Sequence, residues 1–207
     1  MAASKVKFDR EPHVFPSPDI IKVVGDAVNF LLRLPVHQLP PDVRFEGAGV
    51  YAIYYKGNFP HYEKLTAINR NAYERPIYVG KAVSPGWRQA RNTEVSSNSL
   101  LGRLREHARN IKSIDNLKIE DFVCRFMILE GQESNLISTI ESELIRRFVP
   151  LWNSVIDGFG NHDPGKGRYN QSPSEWDILH PGRIWANRLK GTPPSLEKII
   201  LKIRHAI

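Results

Sequence analysis

The chain has 207 residues, of which 41% are hydrophobic and 25% charged, and a formal net charge of +7 with a pI near 9.6. That length and composition fit a globular protein with a proper core, one domain with extensions or at most two small ones, and a basic balance favours polyanionic partners such as nucleic acid. No apolar run approaches the roughly 18 residues of a membrane-spanning helix, and the single cysteine, Cys124, excludes an intrachain disulfide and a cysteine-based zinc site.

Residues 1–18 are polar and carry Pro12, Pro16 and Pro18, so they read as an arm. The opening Met1–Lys7 lacks the apolar segment of a signal peptide, which makes the cytoplasm the expected compartment. From Asp19 to Leu34, apolar residues at Ile20, Ile21, Val24, Ala27, Val28, Leu31 and Leu32 follow a helical period, with Asp19 as the expected N-cap. Pro35, Pro40 and Pro41 then punctuate a loop. Gly49–Tyr55 alternates as a strand, with Tyr51, Ile53 and Tyr55 on one face and Val50, Ala52 and Tyr54 on the other. A polar excursion, Lys56–Arg75, leads to a second strand at Pro76–Lys81. A helix is predicted over Ser99–Ile111, a third strand over Asp121–Leu129 and a helix over Ser134–Val149, ahead of Pro150. Beyond Trp152 the chain is rich in glycine, proline and aromatics and ends in a basic helix, Ser195–Ala206. The expected organisation is an N-terminal arm and helix (1–46), a core (47–155) with an insertion (56–75), and a C-terminal extension packed on the core (156–207), or else a small separate domain there.

Several polar residues stand out against this pattern. On the Ser134–Val149 helix, Leu136, Ile137, Ile140, Leu144, Ile145 and Phe148 define an apolar arc, and Glu141 falls inside it. An inward carboxylate is costly without a partner, either a metal or the cation of a structural ion pair. Glu143 points the opposite way, to solvent. On the Ser99–Ile111 helix, Arg103 and His107 lie four apart at the edge of the apolar arc, where they can line a cleft, while Arg105 and Arg109 share a face suited to solvent or DNA backbone. Tyr51 and Tyr78 sit in strands, where tyrosine usually packs. With an unperturbed pKa near 10, neither is a ready base unless a cation, a metal-bound water or a histidine favours its deprotonation. The run Gly160–Gly167 echoes a phosphate-binding loop, but Gly167 stands where Ser or Thr must bind magnesium, so a glycine-rich surface loop is the better reading.

The order of Gly49-Val50-Tyr51, Ile77-Tyr78-Val79-Gly80-Lys81-Ala82, Arg103, His107, Glu141 and Asn153 resembles the GIY-YIG nuclease superfamily. That resemblance implies an α/β fold: a small antiparallel three-stranded sheet flanked by helices, with the two tyrosine motifs on adjacent strands. It also implies metal-dependent hydrolysis of DNA phosphodiesters. Glu141 would hold one Mg2+, with Mn2+ able to substitute, and a nearby water would attack the phosphorus in line. Tyr51 or Tyr78 would be the general base, His107 would relay or tune the proton, Arg103 aided by Lys81 would stabilise the transition state, and Asn153 would orient the phosphate or the metal shell. The stretch between the tyrosines is longer than in many relatives. It and the runs Phe45–Tyr51, Pro85–Gln89, Pro150–Val155 and Asp157–His162 look like those of type II restriction endonucleases recognising the palindrome CCGCGG. Such an enzyme would act on double-stranded DNA as a homodimer or tetramer beside a cognate DNA methyltransferase. Arg88, Arg91, Arg105, Arg109, Lys166 and Arg168 are the candidates for DNA contact. The alternatives are a repair or homing nuclease on the same core and a non-catalytic DNA-binding protein.

Overall fold

The structure is a computed structural model and describes residues 8–83 and 99–207. Helix α1 spans Pro18–Arg33 and buries Val24, Val28 and Leu31 along one stripe. Its N-cap is Ser17, not Asp19: Pro18 at the first helical position has its φ preset and needs no N–H partner, so the helix opens two residues early. Asp19 falls in the first turn, where its charge favours the helix dipole. Strand β1 follows at His37–Gln38, strand β2 at Gly49–Tyr55 and helix α2 at Glu63–Ala72. Then come strand β3 at Tyr78–Ala82, helix α3 at Ser99–Lys112 and strand β4 at Phe122–Ile128. Helix α4 spans Ile137–Phe148, the short α5 Glu175–Leu179, and α6 Leu196–Ala206.

Two expectations need correction. The sheet has four strands, not three, in the antiparallel order β1-β4-β2-β3, because His37 and Gln38 pair with Cys124 and Val123. A two-residue strand flanked by prolines carries no periodicity to read. The excursion Lys56–Arg75, read only as a polar insertion with no element assigned, contains α2, which buries Leu65 and Asn69. The Asn69 amide donates to the carbonyls of Tyr55 and Arg75 at 3.1 and 2.8 Å and accepts from the Arg75 N–H at 3.0 Å, tying both ends of the excursion together. Element ends also shift: a 3-10 turn over Gly131–Leu136 precedes α4, and the helix stops at Val149 (φ 43°), where Pro150 cannot continue it.

Strand β2 is buried along its whole length, and its alternation separates two cores. Tyr51, Ile53 and Tyr55 face Leu100, Leu104 and Ile111 of α3, together with Trp152, Phe159, Trp176, Ile199 and Ile203. Residues after 155 therefore share this core with the sheet, and each of these buried apolar side chains contributes roughly 1.5–3 kcal/mol relative to exposure. Val50, Ala52 and Tyr54 face the opposite way, onto Val24, Val28 and Leu31 of α1 and Ile137, Ile140 and Leu144 of α4. Helices α3 and α4 thus flank the sheet on opposite faces, and side chains from both reach the edge strand β3.

Candidate active site

The site is built around β3, whose outer edge has no partner strand among the described residues. Asn153, on a π-helical turn over Leu151–Val155, closes that edge: its side-chain oxygen accepts from the Val79 N–H and its NH2 donates to the Val79 carbonyl, each at 2.8 Å. Each end of the amide makes one bond to the Val79 backbone, so Asn153 holds the strand bearing Tyr78. Its second N–H and second lone pair are the part of the amide left for the phosphate or metal shell that the sequence suggested. The Trp152 N–H adds a bond to the Ile77 carbonyl at 2.9 Å.

Gly80 pairs with Tyr51 across β2 and β3. A Cβ at Gly80 would meet the Tyr51 hydroxyl at 2.3 Å, so the glycine is required for the Tyr51 ring to lie across its neighbour strand. Tyr51 is fully buried, and its hydroxyl lies 2.6 Å from Nε2 of His107. Tyr78, two residues before Gly80, is half-buried and opens toward solvent. Its ring packs at 6.3 Å from that of Tyr51 and edge-on to His107 at 5.1 Å.

His107 was expected at the edge of its helix. It is instead fully buried, stacked on Phe159 at 4.7 Å, because the residues after 155 cover that side of α3 as no isolated helix could show. Burial, reinforced by the charge of Arg103 and by His162, lowers its pKa well below the usual imidazole range, so the ring is neutral at physiological pH. Burial likewise raises the pKa of Tyr51 well above that of an ordinary phenol, with Tyr78 adding to the rise and the Arg103 guanidinium opposing it. Tyr78 is raised by burial and by Glu141, again against the pull of Arg103. Neither tyrosine ionises unaided.

Arg103 is half-buried on α3. Its Nη1 donates to Glu106 Oε2 at 2.7 Å and lies 2.9 Å from His162 Nε2, while Nη2 donates to the Gly160 carbonyl at 3.3 Å. From the opposite face of the sheet, Glu141 reaches the same edge with its side chain 18% exposed and pairs with Lys81 Nζ at 2.8 Å. Lys81 also donates to Ser138 at 3.2 Å. The ion-pair partner anticipated for an inward Glu141 is thus present, and Lys81 is engaged by Glu141 and Ser138. Glu143 lies on the exposed side of α4, paired with Arg146.

Among the described residues, no group of three or more His, Cys, Asp or Glu gathers to hold a metal. A partly exposed carboxylate at the sheet edge does suit a hydrated Mg2+ whose remaining ligands are waters and substrate phosphate oxygens. It does not suit a closed zinc site.

Tyr51, Tyr78, Lys81, Arg103, His107, Glu141 and Asn153 therefore converge at one sheet edge. Arg105 and Arg109 are exposed on another face of α3, and Lys166 and Arg168 are exposed in the glycine-rich loop. Arg88 and Arg91 lie outside the described residues. Sequence reasoning missed Glu106 and His162 as partners of Arg103. An i,i+3 Arg–Glu pair is ordinary on any helix, and nothing in the spacing links His162 to it.

No helix among the described residues is long and apolar enough to cross a membrane. No curated protein matches the chain. A family model described as the Eco29kI GIY-YIG domain matches residues 43–207, from the loop before β2 through α6. With that match spanning most of its length and a small antiparallel sheet flanked by helices beneath it, the chain belongs to the Eco29kI GIY-YIG family of restriction-type nucleases.

Proposed function

We propose that the protein is a type II restriction endonuclease that makes double-strand breaks in DNA, at the palindrome CCGCGG, by Mg2+-dependent phosphodiester hydrolysis. The observation that carries the reading is the convergence at β3 of a buried Tyr51–His107 pair, a half-buried Tyr78 and a half-buried Arg103. Tyr78, half-buried, takes the proton of the attacking water as its own hydroxyl proton moves on toward the Tyr51–His107 pair. The neutral Nε2 of His107 holds the Tyr51 hydroxyl in place for that transfer. Arg103 stabilises the charge that develops on the phosphorane oxygens. Glu141 would hold the divalent ion, which supplies positive charge to the phosphate and the leaving oxygen. Asn153 keeps β3, and so Tyr78, in register.

Each chain carries one such site, whereas a palindrome presents two equivalent scissile phosphates, so a two-fold homodimer places one site on each strand. Exposed apolar residues on α1, among them Ile21 (76% exposed) and Phe30 (50%), suit a protein–protein contact. Digestion of a plasmid carrying CCGCGG, with Mg2+ and with EDTA, followed by mapping of the ends, tests activity, metal and site together. Cuts scattered without sequence preference would favour a structure-dependent nuclease, and no cutting with intact binding would favour a DNA-binding protein on the same fold. Light scattering of the DNA complex should give at least two chains per duplex.

A further inference from the structure

We propose that Glu106 and His162 are positioning residues for Arg103, a relay that fixes its guanidinium before DNA arrives, and that buried Arg183 anchors the loop that brings His162 into place. The inference rests on the reading of Arg103 as the phosphate-stabilising cation.

Glu106 uses both oxygens: Oε2 accepts from Arg103 Nη1 at 2.7 Å and Oε1 lies 2.8 Å from His162 Nδ1. The other ring nitrogen, Nε2, faces Arg103 Nη1 at 2.9 Å. A guanidinium has no acceptor, so Nε2 must accept, and the ring proton resides on Nδ1 where Glu106 receives it. The three side chains close a ring in which every polar contact is complementary. The Arg103–Glu106 pair is part-buried, and a single i,i+3 contact still lets the guanidinium swing about it. A second acceptor on the same Nη1, from His162 (63% exposed) 59 positions away in sequence, restricts that swing.

The loop bearing His162 is itself held from below. Arg183, 2% exposed, donates through Nη2 to the Gly158 carbonyl at 2.9 Å and through Nη1 to the carbonyls of Phe159 and Asn161 at 3.2 and 3.3 Å. Its Nε donates to Asp177 at 2.6 Å, and its guanidinium packs 4.5 Å from the Trp176 ring and 4.7 Å from that of Trp185. One buried cation thus satisfies three carbonyls of a four-residue stretch. The result is Phe159 stacked on His107 and the Gly160 carbonyl on Arg103. A Cβ at Gly160 would press on the Tyr78 hydroxyl at 3.0 Å, so a larger residue there would crowd the tyrosine. A donor aimed in advance at developing charge is worth far more than one that must reorganise at the moment of reaction.

The test is single-turnover cleavage at saturating concentrations of a duplex that the wild type cuts, with binding of the same duplex measured in EDTA. Glu106→Ala and His162→Ala should each slow cleavage by about tenfold or more, the scale expected when a catalytic group is misplaced by a fraction of an ångström to an ångström. Glu106→Ala should bind DNA as well as or better than wild type, because it removes a negative charge near the phosphate path, an outcome that a general loss of structure would not give. His162→Gln should keep the rate within about threefold, since its amide can both accept from the guanidinium and donate to Glu106. Adding Glu106→Ala to Arg103→Ala should cost nothing further, because the relay acts only through that arginine. Glu106→Gln, which keeps an acceptor oxygen but loses the charge, replaces the alanine variant if that variant does not fold, and should also be slow. Wild-type rates in folded Glu106 and His162 variants, with Arg103→Ala inactive, would overturn the relay and leave the role of Arg103 intact. Wild-type turnover in Arg103→Ala would overturn that role and the relay with it.

Discussion

The Tyr51 hydroxyl and His107 Nε2 lie 2.6 Å apart where neither residue is exposed to solvent, and the other ring nitrogen of His107, Nδ1, has no hydrogen-bond partner among the described residues. The imidazole is thus held by a single polar contact, and that contact is the tyrosine of the first sequence motif. Tyr51→Phe should leave both ring nitrogens of His107 unpaired, costing about 1–3 kcal/mol of stability. It should lower single-turnover cleavage by roughly a hundredfold or more, the usual scale of lost acid–base assistance. Chemical denaturation and cleavage of the folded variant check the two effects separately; full activity would remove Tyr51 and His107 from the proton path.

A second buried histidine makes a pH prediction. His180 lies between Tyr62 (2.7 Å) and Asn116 (2.9 Å), and Tyr62 accepts from Trp152 Nε1 at 2.9 Å. Burial pushes its pKa down to about 3. Because the folded value is depressed, the unfolded chain takes up the proton first as pH falls. The stability held above about pH 6.5 is therefore lost progressively as pH falls toward about 3, at roughly 1.4 kcal/mol per pH unit. His107 acts in the same direction. Urea unfolding between pH 4 and 7 should show a shallower slope in His180→Asn than in wild type, and equal slopes would contradict a neutral, buried His180.

Glu141 and Glu143 offer an internal control on α4. Glu141→Gln should abolish cleavage and leave DNA binding largely intact, because the positive surface remains. Glu143→Gln, which loses only an exposed pair with Arg146, should be nearly silent. Calorimetric titration with Mg2+ and DNA should show weakened metal uptake in the first variant alone; the reverse pattern would remove Glu141 as the ligand.

Close approach makes Gly80 a sensitive position. In Gly80→Ala the new methyl would overlap the Tyr51 hydroxyl at 2.3 Å, and relief requires moving Tyr51 away from His107 or distorting β3. A loss of about 1–3 kcal/mol is expected, with cleavage falling further than stability accounts for. Wild-type turnover would mean that the placement of Tyr51 does not matter to the chemistry.

Arg105 and Arg109, exposed on the other face of α3, should behave differently from Arg103. Alanine at either should weaken DNA binding and flatten its salt dependence by about one unit of slope, leaving the rate at saturating DNA near wild type. A salt titration of binding decides this, and an unchanged slope would place that arginine away from the DNA.

Much of this protein was legible in its sequence. The alternation of Gly49–Tyr55 assigned every β2 side chain to its correct core, because a strand's two-residue period is a local property that needs no partner to be read. Helical periodicity likewise located α1, α3 and α4 to within a few residues, and the inward position of Glu141 announced a residue in need of a cation. The tertiary structure decided what local period cannot carry. His107 lies inside the core, not at its edge, because Phe159, more than fifty positions on, covers that side of α3. Asn153 bonds the Val79 peptide because, among the described residues, β3 has no outer strand to satisfy it. The Glu106–His162 clamp on Arg103 exists only because Arg183 pulls three carbonyls of a distant loop around one buried charge. Periodicity reports which face of an element turns inward. Which partner meets it there depends on contacts between residues far apart in the chain, and those are fixed only when the whole core closes.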